Sequence, residues 1–331
     1  MVAVSTTRAR GAKPMPPLLD IDAIEAARSH IDPAYLDTPV ASDPALDAAL
    51  GCHMLAKVET ANPIGSFKGR GADAFVATAL ARNEAVVCAS AGNFGQGLAR
   101  ACLRRGHACT VFVSRAANPL KVEALRRFGA DVRIAGDDFD AAKDAARAHA
   151  WALGLRFVED GAEPAIAAGA GTIALELAAS RVFDAITVPL GNGALLAGIG
   201  SALRRRAPAV EIVAVVANAA PAMKHSLREG RVVETPDAPT IADGIAVRVP
   251  IARSLDLLRR CCDDVVGVGE SHLLDAIVLL HRHLGLVVEP AGAAGVAAVL
   301  ADPQRYAGRR VATVVCGANL AAPLRARLLG H

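Results

Sequence analysis

Lysine is scarce in this chain: six lysines (Lys13, Lys57, Lys68, Lys121, Lys143 and Lys224) stand against thirty arginines. Lys68 lies in Asn62-Pro63-Ile64-Gly65-Ser66-Phe67-Lys68-Gly69-Arg70-Gly71-Ala72, between a loop and a helical stretch, with Phe67 directly before it. An amine held in a confined, partly apolar site loses solvation of its charged form, which lowers its pKa and makes it a Schiff-base nucleophile. The alternative is a helix-start lysine pointing at water, the ordinary fate of this side chain. A second chemical feature is Gly191-Asn192-Gly193-Ala194-Leu195, set between an apolar run and a helical one. Such a turn aims free backbone N–H groups and the positive end of a helix dipole at one point, an anion cradle most naturally suited to phosphate. It is not the dinucleotide fingerprint, since Leu196 stands where the third glycine belongs, and no P-loop motif occurs anywhere. Two more glycine turns, Ser90-Ala91-Gly92-Asn93-Phe94-Gly95 and Cys316-Gly317-Ala318-Asn319, also follow apolar runs.

These turns must be carried by regular elements. From Val86 onward, short β-branched runs alternate with helix-patterned segments, the signature of parallel strands joined by crossover helices. Strands are predicted over 85–89, 110–113, 132–135, 185–188, 212–216, 265–268 and 311–316. Helices are predicted over 97–105, 119–128, 139–153, 195–206 and 271–284. Continuous apolar runs fit parallel strands buried on both faces. Taken singly, a glycine after a strand is plain geometry. Ligands of open α/β sheets sit beyond the carboxyl ends of the strands, so three such turns predict one shared site.

Composition narrows the classes further. The chain has 331 residues, 53% hydrophobic and 21% charged, enough to bury a large core and to exclude intrinsic disorder. A net charge of +3, with arginines dispersed, gives no support for a nucleic-acid partner. Seven cysteines without a C-x-x-C pair read as reduced thiols in a cytoplasmic setting. Residues 1–16 carry basic groups but no apolar core and read as a disordered leader. The uncharged run 185–203 contains Pro189, Gly191, Gly193, Gly198 and Gly200, and so splits into strand, turn and helix instead of spanning a membrane.

Six ordered motifs now carry a resemblance: S-F-K-x-R-G-A around Lys68, S-A-G-N-x-x-Q-G at 90–97, V-P-x-G-x-G-x-L at 188–195, Ala242-Asp243-Gly244-Ile245-Ala246-Val247, Glu289-Pro290-Ala291-Gly292 and Cys316-Gly317-Ala318-Asn319. Together they resemble the fold-type II pyridoxal-phosphate enzymes, on the serine/threonine dehydratase branch near serine racemase, with threonine synthase-like features in Asn62-Pro63-Ile64-Gly65. The resemblance implies an α/β fold of the tryptophan synthase β type: two open parallel-sheet domains with the cofactor in the cleft. Residues 17–82 and 157–331 would form the large cofactor-binding domain, and 83–156 a small inserted αβα domain. Lys68 would hold pyridoxal 5'-phosphate as a Schiff base and act as base and acid at the substrate α-carbon. Phe67 and Gly244 would line the cofactor, and Asn93 would bond its phenolic oxygen. Gly191, Asn192, Gly193, Ala194 and Leu195 would hold its phosphate, while Cys316 would face the pyridine nitrogen. Ser90, Ala91, Gly92 and Asn93 would hold the carboxylate of a small amino-acid substrate.

The reaction implied is α,β-elimination on a hydroxy amino acid such as L-serine or L-threonine. A neutral thiol at Cys316 makes the ring a weaker electron sink than a carboxylate partner would, which favours prompt β-elimination over transamination. The alternative is β- or γ-replacement of the threonine synthase or cysteine synthase kind; a silent amino-acid or cofactor sensor is a further one. A homodimer is the implied assembly. Departures from the family are informative. Ala91 replaces the serine that serves racemases as a proton donor, which disfavours racemisation. Phe94 replaces a frequent histidine, and Gly161, where a polar or aromatic pocket residue is usual, leads us to expect a roomier or different substrate pocket. Val216 stands where some relatives bind a cation, and no metal site is expected. His281, His283 and the Cys261-Cys262 pair lack further ligands at metal-site spacing. The Arg204-Arg205-Arg206 run reads as a solvated helix end favoured by the dipole.

Overall fold

The computed structural model describes residues 17–330, so the expected leader lies outside the described residues. Ten strands are found among these residues: β1 (Val40–Ala41), β2 (His53–Val58), β3 (Val86–Ala89), β4 (Cys109–Val113), β5 (Asp131–Ile134), β6 (Arg156–Phe157), β7 (Ala185–Pro189), β8 (Glu211–Ala217), β9 (Asp264–Val268) and β10 (Arg310–Val315). They form a six-stranded sheet in the order β1-β2-β10-β7-β8-β9 and a four-stranded sheet in the order β5-β4-β3-β6. Among these strands only the β1–β2 pairing is antiparallel; every other ladder is parallel.

Parallel strands need crossover helices, and these cover both faces of the large sheet. All five residues of β7 are buried. The helix Pro290–Ala301, composed almost wholly of alanine, glycine and valine, packs against the sheet and is apolar all round, as a fully buried helix must be. The uncharged 185–203 run divides as its glycines and proline require, into β7, a turn and the helix Ala194–Arg206. No helix among the described residues is long and apolar enough to cross a membrane.

The sequence pattern missed β1, β2 and β6. β1 and β6 have two residues each, too short for any periodicity, and β2 reads His-Met-Leu-Ala-Lys-Val without a β-branched run. β6 also carries Phe157 into the four-stranded sheet, one residue past the expected limit of the inserted unit.

Candidate functional site

The functional groups gather beyond the carboxyl ends of five strands. The loop after β2 leads to Lys68, and the turn after β3 holds Ser90 to Asn93. Asp160 follows β6, the glycine turn follows β7, and Cys316 follows β10. They surround a cleft of about 850 Å³ whose wall includes Phe67, Lys68, Asn93, Asn192, Gly244 and Cys316. Ser90, Ala91 and Gly92 also line it. The remaining turn residues, Gly191, Gly193, Ala194 and Leu195, do not border the cleft; they flank Asn192 in the same turn.

Lys68 is the first residue of the helix Lys68–Ala79, as the helix-start reading required, yet its side chain is only 17% exposed and faces the cleft. Its position is fixed by the chain before it. Phe67 donates its N–H to the Cys316 carbonyl at 3.1 Å, and Ser66 Oγ donates to the same carbonyl at 2.9 Å. Lys68 and Cys316 are thereby tied to each other through backbone. The ammonium lies 4.8 Å from the centre of the Phe67 ring.

The partner of Lys68 is Asp160, whose Oδ2 contacts Nζ. Its other oxygen accepts from Asn192 Nδ2 at 3.1 Å. Burial pushes the Asp160 carboxyl up, but the Lys68 charge and the hydrogen bonds outweigh it and hold the group below the usual carboxylate range.

Opposite, Asn93 begins the helix Asn93–Arg105. Asn93 Nδ2 donates to Glu289 Oε1 at 2.7 Å, while Asn319 Nδ2 donates to Asn93 Oδ1 at 2.6 Å. These two neighbours fix which way the amide points and leave one Asn93 N–H for the cleft. Glu289 is buried, and loss of hydration, with the Asp243 charge nearby, pushes its carboxyl up to about 7. The Cys316 thiol is buried and donates to the Ala291 carbonyl at 3.6 Å. Burial drives it far above the ordinary thiol range, so it is neutral.

The glycine turn has the geometry of an anion site. Gly193, at φ +100°, caps the buried start of the Ala194–Arg206 helix without a side-chain hydrogen bond. A buried helix start with no cap needs an acceptor from elsewhere. The Asn93–Arg105 helix, capped by Gly92, likewise has no side-chain cap, and its start opens on the cleft.

One expectation is corrected. Gly161 does not enlarge the substrate pocket, because it is absent from the cleft wall and a Cβ there would lie 2.1 Å from the Asn192 carbonyl oxygen. The glycine is there so that two backbones can meet. The residue presented to the cleft is its neighbour Asp160, which the sequence reading did not single out. Its only local signal, a place just after β6, could not be read because that strand has two residues. Glu289 and Asn319 belonged to quoted motifs without an assigned role.

Two parallel-sheet units with a cleft lysine, a neutral partner at the end of β10 and an uncapped helix start define a class, the pyridoxal-phosphate enzymes of the tryptophan synthase β type. Residues 31–317 match the family described as "Pyridoxal-phosphate dependent enzyme". This chain belongs to that family, on its serine/threonine dehydratase branch, and its cofactor is pyridoxal phosphate. It is 35% identical over 306 residues to the L-threonine ammonia-lyase of Thermotoga maritima, covering 92% of this chain and 76% of that one. Among solved structures, maize serine racemase superposes with a TM-score of 0.87 at 27% identity, covering 95% of this chain and 98% of that one. The processed form of threonine deaminase isoform 2 from Solanum lycopersicum gives a TM-score of 0.86 at 27% identity, covering 95% of this chain and 90% of that one.

The residues present fit the cofactor. Its phosphate suits the uncapped 193–195 start, its ring suits a neutral thiol, and its phenolic oxygen suits the remaining Asn93 N–H. Bound there, pyridoxal phosphate supplies an aldehyde for an amine to condense with and a ring that withdraws electrons from the substrate α-carbon.

Proposed function

We propose that this protein catalyses α,β-elimination of a small hydroxy amino acid, L-threonine or L-serine, to a 2-oxo acid and ammonia. The observation that carries the reading is the neutral, buried Cys316 thiol in the same cleft as Lys68. A neutral ring partner favours early expulsion of the β-hydroxyl over the long-lived carbanion that transamination requires. The L-threonine ammonia-lyase of Thermotoga maritima supports the same class.

In this reading Lys68 removes and returns protons at the α-carbon, and Phe67 and Gly244 bound the cofactor. Asn93 donates to the phenolic oxygen, and the main chain of Gly191, Asn192, Gly193, Ala194 and Leu195 holds the phosphate. Ser90, Ala91, Gly92 and Asn93 take the substrate carboxylate at the second uncapped helix start. Ala91 carries no transferable proton, which weighs against racemisation. Residues 17–82 with 157–331 act as the cofactor domain, and 83–156 as the unit that encloses the substrate. We place the protein in the cytosol as a homodimer on the strength of the family resemblance and of seven free cysteines.

The test is turnover of purified protein on L-threonine and L-serine with 2-oxo acid and ammonia measured together. Release of both in equal amounts from one amino acid alone supports the lyase. Turnover only with a second nucleophile, or only on a phosphorylated substrate, overturns it in favour of replacement chemistry. Light scattering in solution tests the dimer.

A further inference from the structure

We infer that Asp160 is the counter-ion of the Lys68 nitrogen, a positioning residue that keeps this nitrogen protonated while it carries the cofactor. The inference rests on Lys68 being the cofactor lysine.

Among the described residues the geometry gives Asp160 no other cation. The residue is 5% exposed, one carboxylate oxygen against Lys68 Nζ and the other taking the Asn192 amide. The surrounding acids are matched elsewhere. Glu159 pairs with Lys143 and Arg147, and Glu163 pairs with Arg156 at 2.8 Å. Glu289, on the far wall, takes the Asn93 amide, and the Cys316 thiol is neutral. A buried carboxylate left without a cation is costly, so the Lys68 nitrogen and Asp160 stabilise each other's charge.

Two consequences separate this role from simple packing. An opposite charge at contact distance raises the pH at which a nitrogen loses its proton by about one to three units. A protonated nitrogen also makes the attached carbon more open to attack by the incoming substrate amine. Asp160 further adds negative charge beside Asn192, in the turn that suits phosphate. Neutralising it therefore leaves cofactor binding as tight or tighter, whereas loss of a merely structural residue weakens it.

The experiment compares the pyridoxal phosphate-loaded wild type with Asp160→Asn and Asp160→Glu. The visible absorbance of the bound cofactor is titrated against pH, and the cofactor dissociation constant is measured alongside. The expected result is a transition lowered by about one to three pH units in Asp160→Asn, with Asp160→Glu close to wild type and cofactor affinity not reduced in the asparagine protein. If Asp160→Asn does not accumulate, Asp160→Ser takes its place with the same expected drop. A neutral variant that titrates at the wild-type pH overturns the inference, as does a glutamate variant shifted as far as the neutral one. A wild type without this absorbance, and with no mass fixed to Lys68 after borohydride reduction, overturns the functional reading itself and the inference with it.

Discussion

Two buried charge clusters flank the start of the Lys68–Ala79 helix, and they are built on opposite plans. Behind it, Arg70 is fully buried, with Nε and Nη2 on both oxygens of Glu59 at 2.8 and 2.7 Å and further bonds to Glu176 and Thr172. Lys57, buried nearby, donates to Glu176 and to the Thr38 carbonyl, each at 2.6 Å. Every charge there makes more than one hydrogen bond. In front, Lys68 has one carboxylate partner and an open cleft, Glu289 is met by an amide and no cation, and the helix at Gly193 starts without a cap. Saturated polar groups hold a backbone in place; partly saturated ones remain able to bind something else. The Ser66-to-Ala72 motif contributes to both, holding its helix with Arg70 and presenting chemistry with Lys68.

Substitution at these two positions should separate the roles. Lys68→Ala should lower kcat by about 10⁴-fold or more, the combined loss of nucleophile and general base, while its cost in stability is confined to one carboxylate, Asp160, left without its cation. Full turnover by Lys68→Ala would break the comparison at its root. Arg70→Ala should act the other way round. It strands Glu59 and part of Glu176 in the interior, at about 3–5 kcal/mol of unfolding free energy, read by denaturant unfolding. Should Arg70→Ala be as stable as wild type, the rear cluster is not the structural one.

The two clusters also differ in how far the sequence disclosed them. The 191–195 turn was legible because backbone geometry demands glycine at such a helix start, and Lys68 stood out as one of six lysines beside a loop, whereas Asn93 and Cys316 were picked out by the family motifs that contain them. Asp160 was not, since nothing local distinguishes one acidic residue after a two-residue strand from another. Only the six-strand and four-strand topology brings it to Lys68, 92 positions away. Gly161 misled for the same reason: glycine's small size reads equally as pocket space or as a backbone contact, and the partner decides which. The strands from β3 onward, except β6, were legible from their apolar runs, whereas β1, β2 and β6 take their pairing from the sheet rather than from pattern.

The clusters should respond to pH with opposite sign. Arginine, lysine and amide partners overcome burial and hold Glu176 at about 2, below its ordinary 4.5. Its contribution to stability is thus present above pH 4.5 and lost as pH falls towards 2. Glu289, raised to about 7 in the fold, contributes while protonated, fully below pH 4.5, and that contribution is lost as pH rises through 7. Each is on the order of 3 kcal/mol. In the cofactor-free protein, the difference in unfolding free energy between wild type and Glu289→Gln should therefore change between pH 5 and 7. A Glu176→Gln difference should be flat there and change only in acid. A Glu289→Gln difference that does not vary between pH 5 and 7 would show this carboxyl to be ionised throughout.

The smallest effect sharpens the boundary between the regions. A methyl group at Gly161 would lie 2.1 Å from the Asn192 carbonyl oxygen and 2.8 Å from the Asn192 Cβ, so Gly161→Ala must push the 191–195 turn away from Asp160. Overpacking of this kind costs about 1–3 kcal/mol. Because the displaced backbone is the anion cradle, most of the cost should appear as weaker cofactor affinity, measured by fluorescence titration with pyridoxal phosphate, and little in the melting temperature of the cofactor-free protein. The competing picture, in which Gly161 leaves room for substrate, predicts the reverse pattern: an altered KM for the amino acid with the cofactor dissociation constant unchanged. The two constants, measured on one variant, check that the glycine serves the cradle and not the pocket.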